Sequence, residues 1–297
     1  MRNYVTCDVF TVHRFGGNPL AVVLEAEGLS DAQMLSITKE FNFSETTFVL
    51  PARNPKHTCR LRIFTPGGEL PFAGHPTVGT AFVLASNGMV APDVGTLVLE
   101  ETVGPVCVRI DREASGQVIQ CTFTSPRNPV SRVQLLAPAQ AAALLSLPLR
   151  AIAALPIAPW SCGVPFLVIP LTSLEALSNC AFDSNLWKTG LKGRWAQNAY
   201  PIFIDVVQRT VHVRMFMVMG LNPIEDPATG SAAAALAGYL AAHIETQNGY
   251  HDWSIVQGES MGRPSHINLR FKRLNAQAQD VQVGGASVAV MRGQLVV

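Results

Sequence analysis

The chain has 297 residues, 48% of them hydrophobic and 14% charged, with a formal net charge of +1. That length suggests about two domains, with ample apolar material for two cores. A near-neutral chain without a basic stripe is not built for nucleic acid, and no apolar run has the length and composition of a membrane span.

Residues 4–10 read as a strand, with imperfect alternation. Gly16-Gly17-Asn18-Pro19 is a turn, and residues 20–24 form a short buried strand. Ser30-Asp31-Ala32-Gln33 is a capping box that opens a helix, with Met34, Ile37 and Phe41 as its apolar stripe. Asn42 to Glu45 breaks that helix, and the β-branched, apolar residues 46–50 form a strand. Glu45 is thus expected at a helix-to-strand junction, where a side chain can reach a cleft. A further strand spans residues 57–64. After Thr65-Pro66-Gly67-Gly68 comes an apolar helix that ends near Asn87-Gly88, where glycine suits the position after the cap. Residues 96–100, 103–111 and 117–124 read as a three-stranded meander. Ser125-Pro126-Arg127-Asn128-Pro129 is the clearest boundary between halves.

The second half opens with an Ala-rich surface helix from about Pro138. A strand running to Ile169 follows Gly163, and residues 174–178 suggest a short helix. Strands at 202–207 and 211–218 flank a turn at Gln208-Arg209. A second apolar helix follows Pro227, with later strands at 254–257 and 267–271. Residues 286–297 read as two short strands about Gly293.

The halves repeat one another. His75-Pro76-Thr77-Val78-Gly79-Thr80-Ala81 matches Asp226-Pro227-Ala228-Thr229-Gly230-Ser231-Ala232. Arg62-Ile63-Phe64 and Arg214-Met215-Phe216 precede these blocks at similar spacing. Gly17-Asn18-Pro19-Leu20-Ala21-Val22-Val23 matches Gly163-Val164-Pro165-Phe166-Leu167-Val168-Ile169. Three matched blocks in one order argue for internal duplication. In each copy the Pro is expected at the first position of a helix, and the helix is apolar on all sides, hence buried. Helix N-termini of this kind present free N–H groups and a positive dipole end, which suit a carboxylate. Between Gly74 and Ala81, and between Asp226 and Ala235, His75 is the sole basic residue.

Each candidate residue has a plain structural alternative. Asp226 before Pro227 is a good N-cap. His75 caps poorly, so its alternative is a hydrogen-bonded core histidine. Ser231 can bond back into its own helix, while Gly230 and Gly74 allow a ligand close to the backbone. Glu45 can be a solvated strand end. If it is instead buried between Phe43 and Phe48, its pKa rises toward neutrality, as a general base beside a carboxylate requires.

The blocks Phe15 to Val22, Phe43 to Phe48, Phe64-Thr65-Pro66, Glu69 to Thr77, Glu225 to Ala232, Gln257-Gly258-Glu259 and Met261 to Pro264 together resemble the PhzF-like family. That family belongs to the diaminopimelate epimerase superfamily. The resemblance covers nearly the whole chain. It implies an α+β, diaminopimelate epimerase-like fold: two pseudo-repeated domains, each a curved mixed sheet wrapped around a central buried helix. The expected domains are 1–125 plus 286–297, and 126–285. It also implies a cleft between them, a homodimer, and cofactor-independent isomerisation of a small carboxylate-bearing substrate. By matched motif Glu45 transfers the proton, and His75, Asp226 and Ser231 line the substrate site, with Gly74, Thr229 and Gly230 at the helix starts. The superfamily's epimerases use two cysteines near those helix starts; Ala73-Gly74-His75 and Asp226-Pro227-Ala228 contain none, so a single carboxylate is favoured. The Met-rich segment Met217 to Asn222 departs from the family's usual turn and bears on which substrate is taken. Glu259 and Arg263 match the family without a role beyond structure. An amino-acid or hydroxy-acid epimerase, and a non-catalytic binding protein on the same fold, are the alternatives.

No paired histidine spacing points to a metal, and no phosphate loop or dinucleotide fingerprint occurs. Cys7, Cys59, Cys107, Cys121, Cys162 and Cys180 lack CxxC spacing, which fits free thiols in the cytoplasm.

Overall fold

The computed structural model of the chain describes residues 1–219 and 222–297, the Met219 side chain excepted. The Met-rich segment therefore lies partly outside the described residues, at Gly220 and Leu221. The chain divides into two compact units, Met1–Pro126 together with Val283–Val297, and Arg127–Gln282.

The first unit contains β1 (Arg2–Val9), β2 (Asn18–Val23), α1 (Asp31–Phe41), β3 (Glu45–Leu50), β4 (Cys59–Thr65), β5 (Gly68–Leu70), α2 (Gly74–Ser86), β6 (Thr96–Glu101), β7 (Gly104–Arg112) and β8 (Val118–Thr124). The second contains β9 (Val130–Ser131), α3 (Pro138–Leu144), β10 (Ala158–Ser161), β11 (Pro165–Pro170), α4 (Leu174–Ser178), α5 (Ser184–Gly190), β12 (Asn198–Asp205), β13 (Thr210–Val213), β14 (Met215–Met219), β15 (Asn222–Asp226), α6 (Gly230–His243), β16 (Gly249–Gln257), β17 (Ser265–Leu274) and most of β18 (Gln277–Gly285). β19 (Ser287–Leu295) belongs to the first unit again.

Both units are mixed sheets with the same run of pairings. In the first, β1 is antiparallel to β2, β2 parallel to β3, β3 antiparallel to β4, β4 parallel to β6, and β6 antiparallel to β7. In the second, β10 is antiparallel to β11, β11 parallel to β12, β12 antiparallel to β13, β13 parallel to β16, and β16 antiparallel to β17. Each unit therefore has the α+β build expected of the sequence.

The two long apolar helices are the cores. All residues of α2 from Gly74 to Ala85 are buried, and so is α6 from Ala232 to Ala241. A helix can be enclosed on all sides only where its own surface is small, and glycines provide this. A Cβ at Gly79 would come within 2.6 Å of Leu20 and Val9 side chains, and one at Gly238 would strike the Trp160 ring and come within 2.7 Å of Pro129.

The repeated Arg-x-Phe block forms one device in both units. In the β4–β5 hairpin Phe64 pairs with Glu69, Arg62 grips the Glu69 carboxylate with two nitrogens at 2.8 and 2.6 Å, and the guanidinium lies 5.0 Å over the Phe64 ring. In the β14–β15 hairpin Phe216 pairs with Glu225, Arg214 grips Glu225 at 2.8 and 2.8 Å, and its guanidinium lies 4.8 Å over Phe216. A bidentate, stacked arginine holds a fixed geometry, which sets the direction in which the chain leaves for the following helix.

Two expectations need correction. Neither helix begins at its proline. Pro76 is the third residue of α2, where a missing N–H costs nothing because the first turn has no acceptor for it. Asp226 instead continues β15 by pairing with Met215, and α6 begins at Gly230 after an extended Thr229 with φ −118 and ψ 90. Asp226 is therefore not an N-cap. Residues 287–295 are one strand, and Gly293 does not break it: it pairs with Tyr4, and a Cβ there would lie 2.7 Å from the Tyr4 ring. The glycine makes room for an aromatic ring crossing it.

Candidate active site

In the first unit the parallel pairing of β2 and β3 places their starts side by side, with Leu20 opposite Glu45. Asn18 opens β2 and Ser44 immediately precedes β3. The Ser44 hydroxyl donates to Asn18 Oδ1 at 3.0 Å, so the Asn18 amide nitrogen faces His75 Nδ1 at 3.3 Å. The first turn of α2 carries His75, and its Nε2 faces Glu45 Oε2 at 3.6 Å. Thr47 and Thr80 hydroxyls, 2.9 Å apart, tie β3 to the same helix.

His75 is 4% exposed. Burial pushes its pKa from 6.5 down to about 3, against a smaller upward pull from a hydrogen bond to the Pro19 carbonyl. The ring is therefore neutral at physiological pH, and its contact with Glu45 is not an ion pair. It places one uncharged imidazole nitrogen against one carboxylate oxygen. The Glu45 side chain is 16% exposed, so it is neither a core residue nor a solvated strand end.

In the second unit three residues lock the approach to α6. The Thr229 hydroxyl donates to Asp226 Oδ2 at 2.5 Å. Gln257, 1% exposed, accepts from the Thr229 N–H at 3.1 Å and donates through Nε2 to the Asp226 carbonyl at 2.7 Å and to Thr229 Oγ1 at 3.0 Å. One carboxamide thus fixes the backbone on both sides of Pro227 and holds Thr229 extended, which is why the helix waits until Gly230. Ser265 supports the same bend by donating to the Pro227 carbonyl at 3.0 Å. Asp226 is 7% exposed, and the buried Tyr200 hydroxyl, its acidity suppressed by burial, feels the Asp226 charge. Gly230 and the half-buried Ser231 form the first turn of α6.

Glu45 and His75 therefore meet in the first unit, with Gly74 opening α2 beside them. Asp226, Thr229, Gly230 and Ser231 form one turn in the second. Sequence reading missed Asn18 and Gln257 as site residues. Gln257 sits in a motif already singled out, and its signal was a carboxamide in an otherwise apolar strand end. The described surface also has a hollow of about 530 Å³ in the second unit, bordered by Arg209, Glu245, Tyr250 and His251. Its groups satisfy one another: Glu245 accepts from Arg209 at 2.6 Å and from Trp253 at 2.7 Å, and lies 3.0 Å from His251. It is a polar surface hollow, and none of the candidate site residues described above borders it.

Mixed sheets closed round a single buried helix, with polar groups gathered at the helix starts, define the diaminopimelate epimerase-like class of proteins. Within it, the chain belongs to the phenazine biosynthesis-like protein family, whose pattern matches residues 7–293. It is 41% identical to an uncharacterized isomerase of Mesorhizobium japonicum, over 99% of this chain and 98% of that protein. It is 34% identical to trans-2,3-dihydro-3-hydroxyanthranilate isomerase of Pseudomonas fluorescens, with both chains covered in full. The crystal structure of a Bacillus anthracis phenazine biosynthesis protein of the PhzF family superimposes with a TM-score of 0.89 at 24% identity, covering 100% of this chain and 99% of that one. The chain is an isomerase acting on small molecules. Among its described residues no helix is long and apolar enough to cross a membrane.

Proposed function

We propose that the chain shifts a proton, and with it a double bond, on a small carboxylate-bearing substrate, with Glu45 as the sole acid/base. The observation that carries this reading is the Glu45 carboxylate facing a buried, neutral His75 at 3.6 Å. A neutral neighbour leaves the carboxylate free to take and return a proton, whereas an imidazolium would hold it ionised. Glu45 removes a proton from a carbon next to the double bond. The electron pair of the broken C–H bond becomes the new double bond, and the old double bond collects the proton at its far carbon. Atoms and electrons balance without a redox partner, so the step calls for no cofactor.

His75 offers one hydrogen-bonding nitrogen beside the reacting carbon. The first turn of α2 offers backbone N–H groups to a substrate carboxylate. Gly74 lets those N–H groups approach without a side chain in the way. Trans-2,3-dihydro-3-hydroxyanthranilate, the substrate named for the Pseudomonas fluorescens relative, has a carboxylate, an amine and a hydroxyl and is the first substrate to test. A homodimer is part of the same proposal and is read by sedimentation.

The experiment is turnover of that compound in D2O. The wild-type chain is expected to isomerise it and place deuterium at the carbon that gains the proton. Glu45→Gln is expected to do neither. Labelling by the variant at the wild-type rate would remove Glu45 from the role. A melting temperature raised by the compound without labelling would turn the reading toward a binding protein.

A further inference from the structure

The β6–β7 hairpin carries a buried carboxyl that the reaction above does not use. Glu101 is 7% exposed, at the end of β6. Its Oε1 lies 2.6 Å from Thr77 Oγ1, and Thr77 Oγ1 lies 2.7 Å from the Ala73 carbonyl, at the cap of α2. The same hairpin holds the lead-in to α2, because the Val103 N–H donates to the Pro71 carbonyl at 3.0 Å.

Counting hydrogens decides the state of this group. A carbonyl only accepts, and a threonine hydroxyl carries one proton. If Thr77 donates to Ala73, the 2.6 Å contact is a hydrogen bond only when Glu101 brings its own proton. If Glu101 is ionised, Thr77 can satisfy one of its two neighbours and the other faces a lone pair. We propose that Glu101 is a positioning residue of the active site, held as a neutral acid, whose proton completes the chain Glu101–Thr77–Ala73 and so fixes the turn that presents His75 to Glu45. This rests on the site assignment above.

The surroundings agree. Burial raises the Glu101 pKa from 4.5 to about 8, with the Thr77 hydroxyl pulling the other way. On β4 the Cys59 thiol feels the Glu101 charge, and is itself pushed up to about 12 by burial and by the Glu101 and Glu100 charges. Glu100, next along β6, points to the opposite face and accepts from the Arg53 and Asn54 amides and His57. From α2 the neighbour is Thr77, and across the hairpin Glu101 pairs with Gly104. Among the described residues no cation offsets a charge on Glu101. Ionisation therefore breaks one of two bonds in a sealed site and loosens the first turn of α2.

The test follows the His75 ring by NMR and turnover of trans-2,3-dihydro-3-hydroxyanthranilate between pH 6 and pH 10. His75 is neutral throughout that range, so any movement of its ring signals reports a neighbour. In the wild type those signals are expected to shift with a midpoint near 8, and kcat to fall about tenfold per pH unit above it while KM stays nearly constant. Glu101→Gln, whose amide donates to Thr77 at every pH, is expected to lose both the shift and the alkaline fall and to keep wild-type kcat at pH 7. Thr77→Val cuts the connection and is expected to give low kcat at all pH values, with a His75 signal that no longer moves.

A flat His75 signal in the wild type, or an unchanged alkaline fall in Glu101→Gln, overturns the proposal. So does a Thr77→Val variant that behaves as wild type, or a His75 shift unaccompanied by a fall in kcat. If the compound is not turned over at all, the substrate reading fails, while the NMR comparison still decides whether the Glu101 proton governs the turn.

Discussion

At the scale of the residue, the proposed reaction rests on one carboxylate, that of Glu45. Glu45→Gln changes one oxygen for an amide of the same shape, so the fold is expected to persist while the proposed base is lost. Turnover is expected to fall by about 10²–10⁴-fold, with a melting temperature within a few degrees of wild type; steady-state kinetics and calorimetry read the two. The sequence put Glu45 at a helix-to-strand junction and His75 at a helix start, where the structure has both, because each lies in a short motif at the head of an element. It gave no sign that Asn18 bridges to His75 across 57 positions, that Gln257 reaches Thr229 across 28, or that Glu101 reaches Thr77 across 24. Those partners lie in strands whose neighbours are set by pairing, and pairing is not written in local periodicity. The position of Asp226 was misjudged for the same reason. Asp-Pro is a sound helix start by itself, and the distant Gln257 carboxamide holds it extended.

At the scale of the element, α6 depends on two features that can be tested separately. Gln257→Leu removes a fully satisfied carboxamide and leaves the Asp226 carbonyl and the Thr229 N–H buried without it. The expected loss is about 2–4 kcal/mol by chemical denaturation, with a larger fall in turnover than stability alone explains. Gly238→Ala would gain about 1 kcal/mol from helix propensity but drives a methyl into the Trp160 ring and Pro129. Overpacking of this kind costs about 1–3 kcal/mol, so net destabilisation is expected, again read by denaturation. A neutral or stabilised variant would mean that the strand carrying Trp160 can retreat. The elements themselves were largely readable. The capping box of α1 is formed in both directions: Gln33 N donates to Ser30 Oγ at 3.3 Å, and Ser30 N donates to Gln33 Oε1 at 2.9 Å. The β6, β7 and β8 meander lies within a residue or two of its expected bounds. Polar strands such as β15 and β18 were not anticipated, because their burial patterns are too mixed to show a period of two.

At the scale of the whole molecule, two buried groups shape stability against pH. The folded chain refuses a proton at His75 that the unfolded chain binds between pH 6.5 and about 3, so stability falls as pH drops through that window. The folded chain keeps a proton at Glu101 that the unfolded chain releases between pH 4.5 and about 8, so stability falls as pH rises through that one. Each contributes at most about 1.4 kcal/mol per pH unit. Between 4.5 and 6.5 the two slopes oppose each other, so these groups give a plateau there with a decline on either side. Calorimetry across pH 4 to 9 is expected to show it, with Glu101→Gln flattening the alkaline side; an unchanged alkaline decline in that variant would locate the cause elsewhere.

The pairing of β1 with β19, which sets Arg2 opposite Leu295, also has a consequence for biosynthesis. The ribosome delivers β1 well before β19, with all of Arg127–Gln282 emerging between them. During translation the second unit is complete while the first still presents one open edge of β1, and such an edge invites pairing with any passing strand. The first unit is thus started before the second yet finished after it, and its nascent form depends on the arrival of β19 for protection.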